Sequence, residues 1–218
     1  MAWNDTFINN RANTGLVRQQ DFYNKYIRNA KERIVVIISD GLRFEVGQTL
    51  MKRLQQDEKC TANISAMLSV LPSYTQFGMS ALLPHKELAL SDDYKVLIDG
   101  KVCDEIADLK EIFTGQDVVY VYHNQVDARG DKLITENEVF VACEEAIEEI
   151  HTIIKRLTSA NNFHFIITAD HGFIYKRDKL AESDKISGFN KKDSFVGRRY
   201  VIADERIDAD GICKYYIR

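Results

Sequence analysis

Proline is almost missing from this chain. Two occur in 218 residues, Pro72 and Pro84, both within the segment Leu71 to His85. With no low-complexity tract and no Gly/Ser-rich linker, collagen-like and disordered classes drop out, and a single globular domain is the expectation for this length. Cysteine is sparse and scattered. Cys60, Cys103, Cys143 and Cys213 stand 43, 40 and 70 residues apart, which fits neither a disulfide framework nor a thiolate zinc site. No apolar run approaches the ~18–20 residues of a membrane helix. The opening MAWNDTFINNRANTG has no basic flank followed by an apolar stretch, so it does not read as a signal peptide. A cytoplasmic protein without membrane contact is therefore expected. Neither G-x-G-x-x-G nor a P-loop occurs, which sets aside a Rossmann-type nucleotide-binding module.

Excess positive charge is lacking too. Against 33 Asp and Glu the 29 Lys and Arg leave a net −4, which argues against coating nucleic acid through global electrostatics. The balance is uneven, +3 over residues 176–218 and −7 over 1–175. The basic end reads as solvated surface, with Lys176, Arg177, Arg198 and Arg199 as the alternative, a grip on an anionic substrate.

What is present is an alternation of strand and helix patterns. Phe22 to Glu32 reads as helical, and RIVVIIS, Arg33 to Ser39, is a β-branched run suited to a strand buried on both faces. Arg43 to Leu54 sets Val46, Leu50 and Leu54 at helical spacing. Further strands are predicted at Thr61 to Leu71, Tyr94 to Ile98, Asp117 to His123 and Phe163 to Ala169, with helices at Gln76 to Leu83 and Glu136 to Leu157. The last helix gathers Val139, Cys143, Ala146, Ile147, Ile150, Ile154 and Leu157 on one face. The expectation is an α/β fold with a mostly parallel central sheet flanked by helices on both faces.

In such sheets ligands bind beyond the carboxyl ends of the strands, and acids recur there. Asp40 follows RIVVIIS, Asp127 follows DVVYVYHNQV, and Asp170 with His171 follows FHFIITA. One such Asp reads as a helix cap; three, one beside a His, suit a divalent metal, and the nitrogen donor favours Zn²⁺ or Mn²⁺ over calcium. Thr75 falls where the helix after Pro72 begins. It reads either as an N-cap or as a hydroxyl nucleophile that a metal would activate.

In order, SDGLRFEVG, LPSYTQFGMSALLPH, HNQVDARGD and TADHGFIYKR resemble the alkaline phosphatase superfamily, and within it the PglZ domain of bacterial BREX phage-defence systems. The resemblance covers Asp21 to Tyr200. It implies an alkaline phosphatase-like core over 1–218, a piece of a longer protein, with 1–20 as an N-terminal extension. It also implies two divalent metal ions, Zn or Mn. Asp40, Asp170, His171 and the Thr75 hydroxyl would hold one, and Asp127 and Asp131 the other, with Asp131 where the family pattern has His. A further ligand His is normally downstream; the chain has none after His171, so the set is expected to be completed beyond residue 218.

The implied function is a metal-dependent phosphohydrolase core, phosphatase or phosphodiesterase/nuclease, acting in phage defence through Thr75. Its substrate would be a phosphoester, nucleic acid or nucleotide included, and its partners other defence-system proteins. The alternative is a non-catalytic scaffold in a defence complex. Arg43 is the candidate phosphoryl clamp and His123 a candidate ligand or ligand-orienting residue. His85, His151 and His164 read as surface or packing residues.

Overall fold

The computed structural model describes residues 14–103, 118–130, 138–173, 194–197 and 200–203, together with Thr6, Asn10 and Ala181 and without the side chains of 129 and 130. In chain order the strands are β1 (Val17–Arg18), β2 (Ile34–Ser39), β3 (Met67–Leu68), β4 (Leu88–Leu90), β5 (Val96–Ile98), β6 (Lys101–Val102), β7 (Val118–His123), β8 (His164–Thr168), β9 (Ser194–Val196) and β10 (Val201–Ala203). The α-helices are α1 (Phe44–Leu54), α2 (Thr75–Leu82), α3 (Gln125–Gly130) and α4 (Val139–Ser159).

The fold is mixed α/β around a parallel sheet in the order β7-β2-β8. Ile34 of β2 pairs with Val118 of β7 and His164 of β8, and both registers run in parallel to the strand ends. Alternation along β2 splits the core in two. Val35 and Ile37 pack with Leu50 of α1 and with Ile147 and Ile150 of α4. Val36 and Ile38 pack on the other face with Met79 and Leu82 of α2, Leu83 and Phe22. Helices thus cover both faces, and the carboxyl ends of all three strands open at one edge. Arg53 of α1 pairs with Glu148 of α4 across the first layer.

Five predicted elements take a different form. β2 is buried from Val35 to Ser39, whereas β7 and β8, predicted from equally apolar runs, are mostly half-buried because each has a neighbour on one side only among the described residues. Of Thr61 to Leu71 only Met67–Leu68 is strand, since its parallel partner β1 offers two residues. Tyr94 to Ile98 shortens to β5 because Tyr94 turns at φ +63. That strand joins an antiparallel β4-β5-β6 sheet and not the parallel one. Of Phe22 to Glu32 only Tyr23–Ile27 is helical, as a π turn that follows a 3₁₀ turn at Gln19–Asp21. There the Arg28 N–H donates to the Tyr23 carbonyl at 2.9 Å, and this wider turn buries both Phe22 and Ile27. No helix among the described residues is long and apolar enough to cross a membrane.

Candidate active site

Three loops meet at the carboxyl edge of the sheet. Asp40 follows β2, and its backbone N–H donates to the His123 carbonyl of β7 at 2.8 Å, which seats it beside that strand. Gly41 then turns at φ +70, a conformation that glycine adopts without penalty. Its N–H donates to Asp170 Oδ1 at 3.1 Å. A Cβ on Gly41 would stand 3.5 Å from that of Asp127, so the turn brings the Asp40, Asp127 and Asp170 segments together.

Thr75 opens α2. Tyr74 holds the N-cap position and makes no side-chain cap bond, while the Thr75 hydroxyl lies 3.2 Å from His171 Nε2. The partner of the hydroxyl is thus an imidazole and not a first-turn N–H. His171 Nδ1 is 3.2 Å from the Gly172 carbonyl oxygen, which turns Nε2 into the cluster. Around Nε2 stand Asp40 Oδ1 at 3.2 Å, Asp170 Oδ2 at 3.5 Å and Asp127 Oδ1 at 4.0 Å. One nitrogen is therefore ringed by four oxygens from four separate parts of the chain.

Asp40 and Asp170 are 1% and 0% exposed, yet Asp40 Oδ1 and Asp170 Oδ2 make no hydrogen bond of ordinary geometry. Buried carboxylate oxygens left in this state are costly unless a charge answers them. Burial and the neighbouring Asp40 push the Asp170 carboxyl up to about 8. Burial also works against ionised Asp40, but interaction with His171 and the Tyr122 hydroxyl holds its carboxyl below the usual range. Burial opposes protonation of His171 as well, and the two carboxylates override it, raising the imidazole to about 9. Asp40, Asp170 and His171 offer ligand atoms all within 4.8 Å of one another. Donors bound to one ion at about 2.0–2.2 Å stand ~3.4 Å apart in a tetrahedral set, close to the spacings around Nε2. The donor set fits a divalent cation.

The family model of the BREX system PglZ alkaline phosphatase-like domain matches residues 20–106 and 104–216. The chain belongs to the PglZ family. It is 35% identical over 234 aligned positions to the alkaline phosphatase-like protein PglZ of Bacillus cereus (strain H3081.97), covering 92% of this chain and 27% of that protein. It is 31% identical over 234 positions to the alkaline phosphatase-like protein BrxZ of Escherichia coli O9:H4 (strain HS), covering 91% of this chain and 27% of that protein. The chain thus spans about a quarter of the length of these curated relatives. No solved structure matches it at a significant level.

In this PglZ domain the sequence-predicted residues Asp40, Thr75, Asp170 and His171 come together, with Asp127 at the margin. Asn124 Oδ1 accepts from the Ala128 N–H at 3.2 Å and caps α3, so that task does not fall to Asp127. Asp131, Lys176, Arg177, Arg198 and Arg199 lie outside the described residues. Arg43 is paired with Glu45 and lies 5.0 Å over the Phe173 ring; those, and not the cluster, are its partners among the described residues. His123 is buried behind Asp40, its Nδ1 3.0 Å from Ser39 Oγ and its Nε2 3.0 Å from Glu149 Oε2. His85 meets the Leu83 carbonyl, and exposed His164 pairs with Glu32.

Two residues were not among the sequence candidates. The Tyr122 hydroxyl donates to Asp40 Oδ2 at 2.6 Å, and burial, then this bond, keep its proton firmly in place. Buried Gln19 spans the loops before Thr75 and before His171. Tyr122 sits in an apolar strand and Gln19 in an unremarkable turn, and neither carries a local signal.

Proposed function

We propose that this chain is the core of a metal-dependent phosphohydrolase acting in phage defence, with Thr75 as its nucleophile. The supporting observation is the convergence of Asp40 Oδ1, Thr75 Oγ1, Asp170 Oδ2 and Asp127 Oδ1 on His171 Nε2. Asp40, Asp170, His171 and the Thr75 hydroxyl would hold one divalent cation, Zn²⁺ or Mn²⁺, and Asp127 with Asp131 a second. When bound, such a cation lowers the pKa of the hydroxyl and offsets charge on the phosphoryl oxygens. Thr75 Oγ1 attacks phosphorus in line, and its bond to phosphorus forms as the bond to the leaving oxygen breaks. Water then cleaves the Oγ1–P bond, returning the hydroxyl and releasing phosphate or, from a diester, a monoester. Because Thr75 is the first residue of α2, the unpaired N–H groups of that first turn lie beside it, at the positive end of the helix dipole, as donors for phosphoryl oxygens. The substrate is a phosphoester, with nucleotides and nucleic acids as the class a defence role favours. The partners are other BREX proteins, in the cytoplasm.

The test is calorimetric titration of metal-free protein with Mn²⁺ or Zn²⁺, followed by acid-quenched mass spectrometry during turnover of p-nitrophenyl phosphate. Asp170→Ala or His171→Ala is expected to weaken binding at least tenfold, since even residues behind the ligands are worth ~10–100-fold. A phosphoryl group is expected on Thr75, absent from Thr75→Ala and retained at reduced turnover in Thr75→Ser. No metal uptake by the wild-type chain would overturn the enzyme and leave the scaffold. Wild-type turnover by Thr75→Ala would make water the nucleophile.

A further inference from the structure

Gln19 is 1% exposed, and every polar atom of its side chain is engaged by backbone or hydroxyl groups far away in sequence. Its Oε1 accepts from the Val70 N–H at 3.0 Å and from the Ser69 hydroxyl at 3.2 Å. Its Nε2 donates to the Asp170 carbonyl at 2.5 Å and the Ala169 carbonyl at 3.3 Å. A backbone N–H can only donate and a carbonyl can only accept, so these partners fix the orientation of the amide.

The two anchored stretches are the ones that deliver the chemistry. Ser69 and Val70 lead through Pro72 to Thr75; Ala169 and Asp170 lead directly to His171. β8 ends at Thr168, so the carbonyls of 169 and 170 have left the strand ladder and need donors from elsewhere. On its other side the Asp170 carbonyl abuts α2, where a Cβ on Gly78 would lie 2.2 Å from that oxygen. The nucleophile helix and the ligand loop are therefore pressed together at Gly78 and tied through Gln19.

We propose that Gln19 is a positioning residue of this site. It sets the separation of Thr75 from the Asp170–His171 pair, and cation affinity depends on it although it touches neither Thr75 nor His171. This rests on the metal-dependent reading above. A purely structural amide would be worth stability alone, whereas a clamp between ligand-bearing loops is worth ligand geometry, and metal affinity is steep in that geometry.

The experiment compares Gln19→Glu and Gln19→Met in the whole chain. Glu keeps the acceptor for Val70 and Ser69 but loses the donor to the two carbonyls, and Met fills a similar volume with neither. Ile150→Val, on α4 and buried in the core layer against β2, is the control for stability loss. Mn²⁺ alone is titrated into each metal-free protein, with melting followed by circular dichroism. Both Gln19 variants are expected to bind Mn²⁺ at least tenfold more weakly, while Ile150→Val melts lower and binds as wild type. If the Gln19 variants only melt lower and bind Mn²⁺ normally, the amide is structural and the proposal is wrong. A wild-type chain that binds no Mn²⁺ overturns the metal reading itself and this proposal with it, a result separate from the previous one.

Discussion

Tyr122 donates to one oxygen of Asp40 and leaves the other toward His171. Phe at this position would keep the ring and lose the restraint. Tyr122→Phe is expected to fold normally and to lower divalent affinity about tenfold by titration calorimetry. Gly78 faces the opposite demand, since any side chain there meets the Asp170 backbone. Gly78→Ala should cost ~1–3 kcal/mol in denaturant unfolding as α2 shifts away. Turnover should fall with it, because the same shift moves Thr75. Asp40, Asp170 and His171 were legible in the sequence since each breaks an apolar strand pattern at the point where the strand stops. Thr75 was legible from the helix start after Pro72. Arg43 was read as a clamp from its distance to Asp40 in sequence, but side-chain direction decides, and the guanidinium lies over Phe173 beside Glu45. Gln19 and Tyr122 act through single bonds to distant segments, and such pairings leave no periodic trace.

Among the elements, the long helix α4 was the plainest in the sequence, and its predicted stripe is buried at Val139, Cys143, Ala146, Ile147 and Ile150 and half-buried at Ile154 and Leu157. That stripe presses on β2, so Ile150→Ala is expected to destabilise by ~2–5 kcal/mol in chemical unfolding. Phe140→Ala, at a residue 54% exposed on the same helix, should change stability by less than ~0.5 kcal/mol. The weaker predictions share one cause. Thr61 to Leu71 has strand-like residues, but a strand exists only where a partner supplies a ladder, and β1 supplies two residues. The turn after Gln19 widened to π geometry because burying Phe22 and Ile27 together outweighed helical spacing, a tertiary choice that local propensity does not express.

At the scale of the whole molecule, the site joins segments from Gln19 to His171, and the parallel sheet beneath it is assembled from strands far apart in the chain. β2 is IVVIIS, and its partners begin only at Val118 and His164. During synthesis the order of arrival matters. For the time taken to translate residues 40–117, at ~5–20 residues per second, β2 is on the ribosome or just off it with both edges unpaired. A six-residue, uncharged, β-branched segment in that state is a template for pairing with other chains. Stalled nascent chains ending before residue 118 are expected to bind a chaperone or aggregate, and those extending past residue 170 to become protease-resistant, in a ribosome-release pelleting assay. Equal solubility at every length would show that β2 is sheltered earlier by local contacts. On this expectation the buried strand that places Asp40 is also a segment that needs protection while the chain is being made.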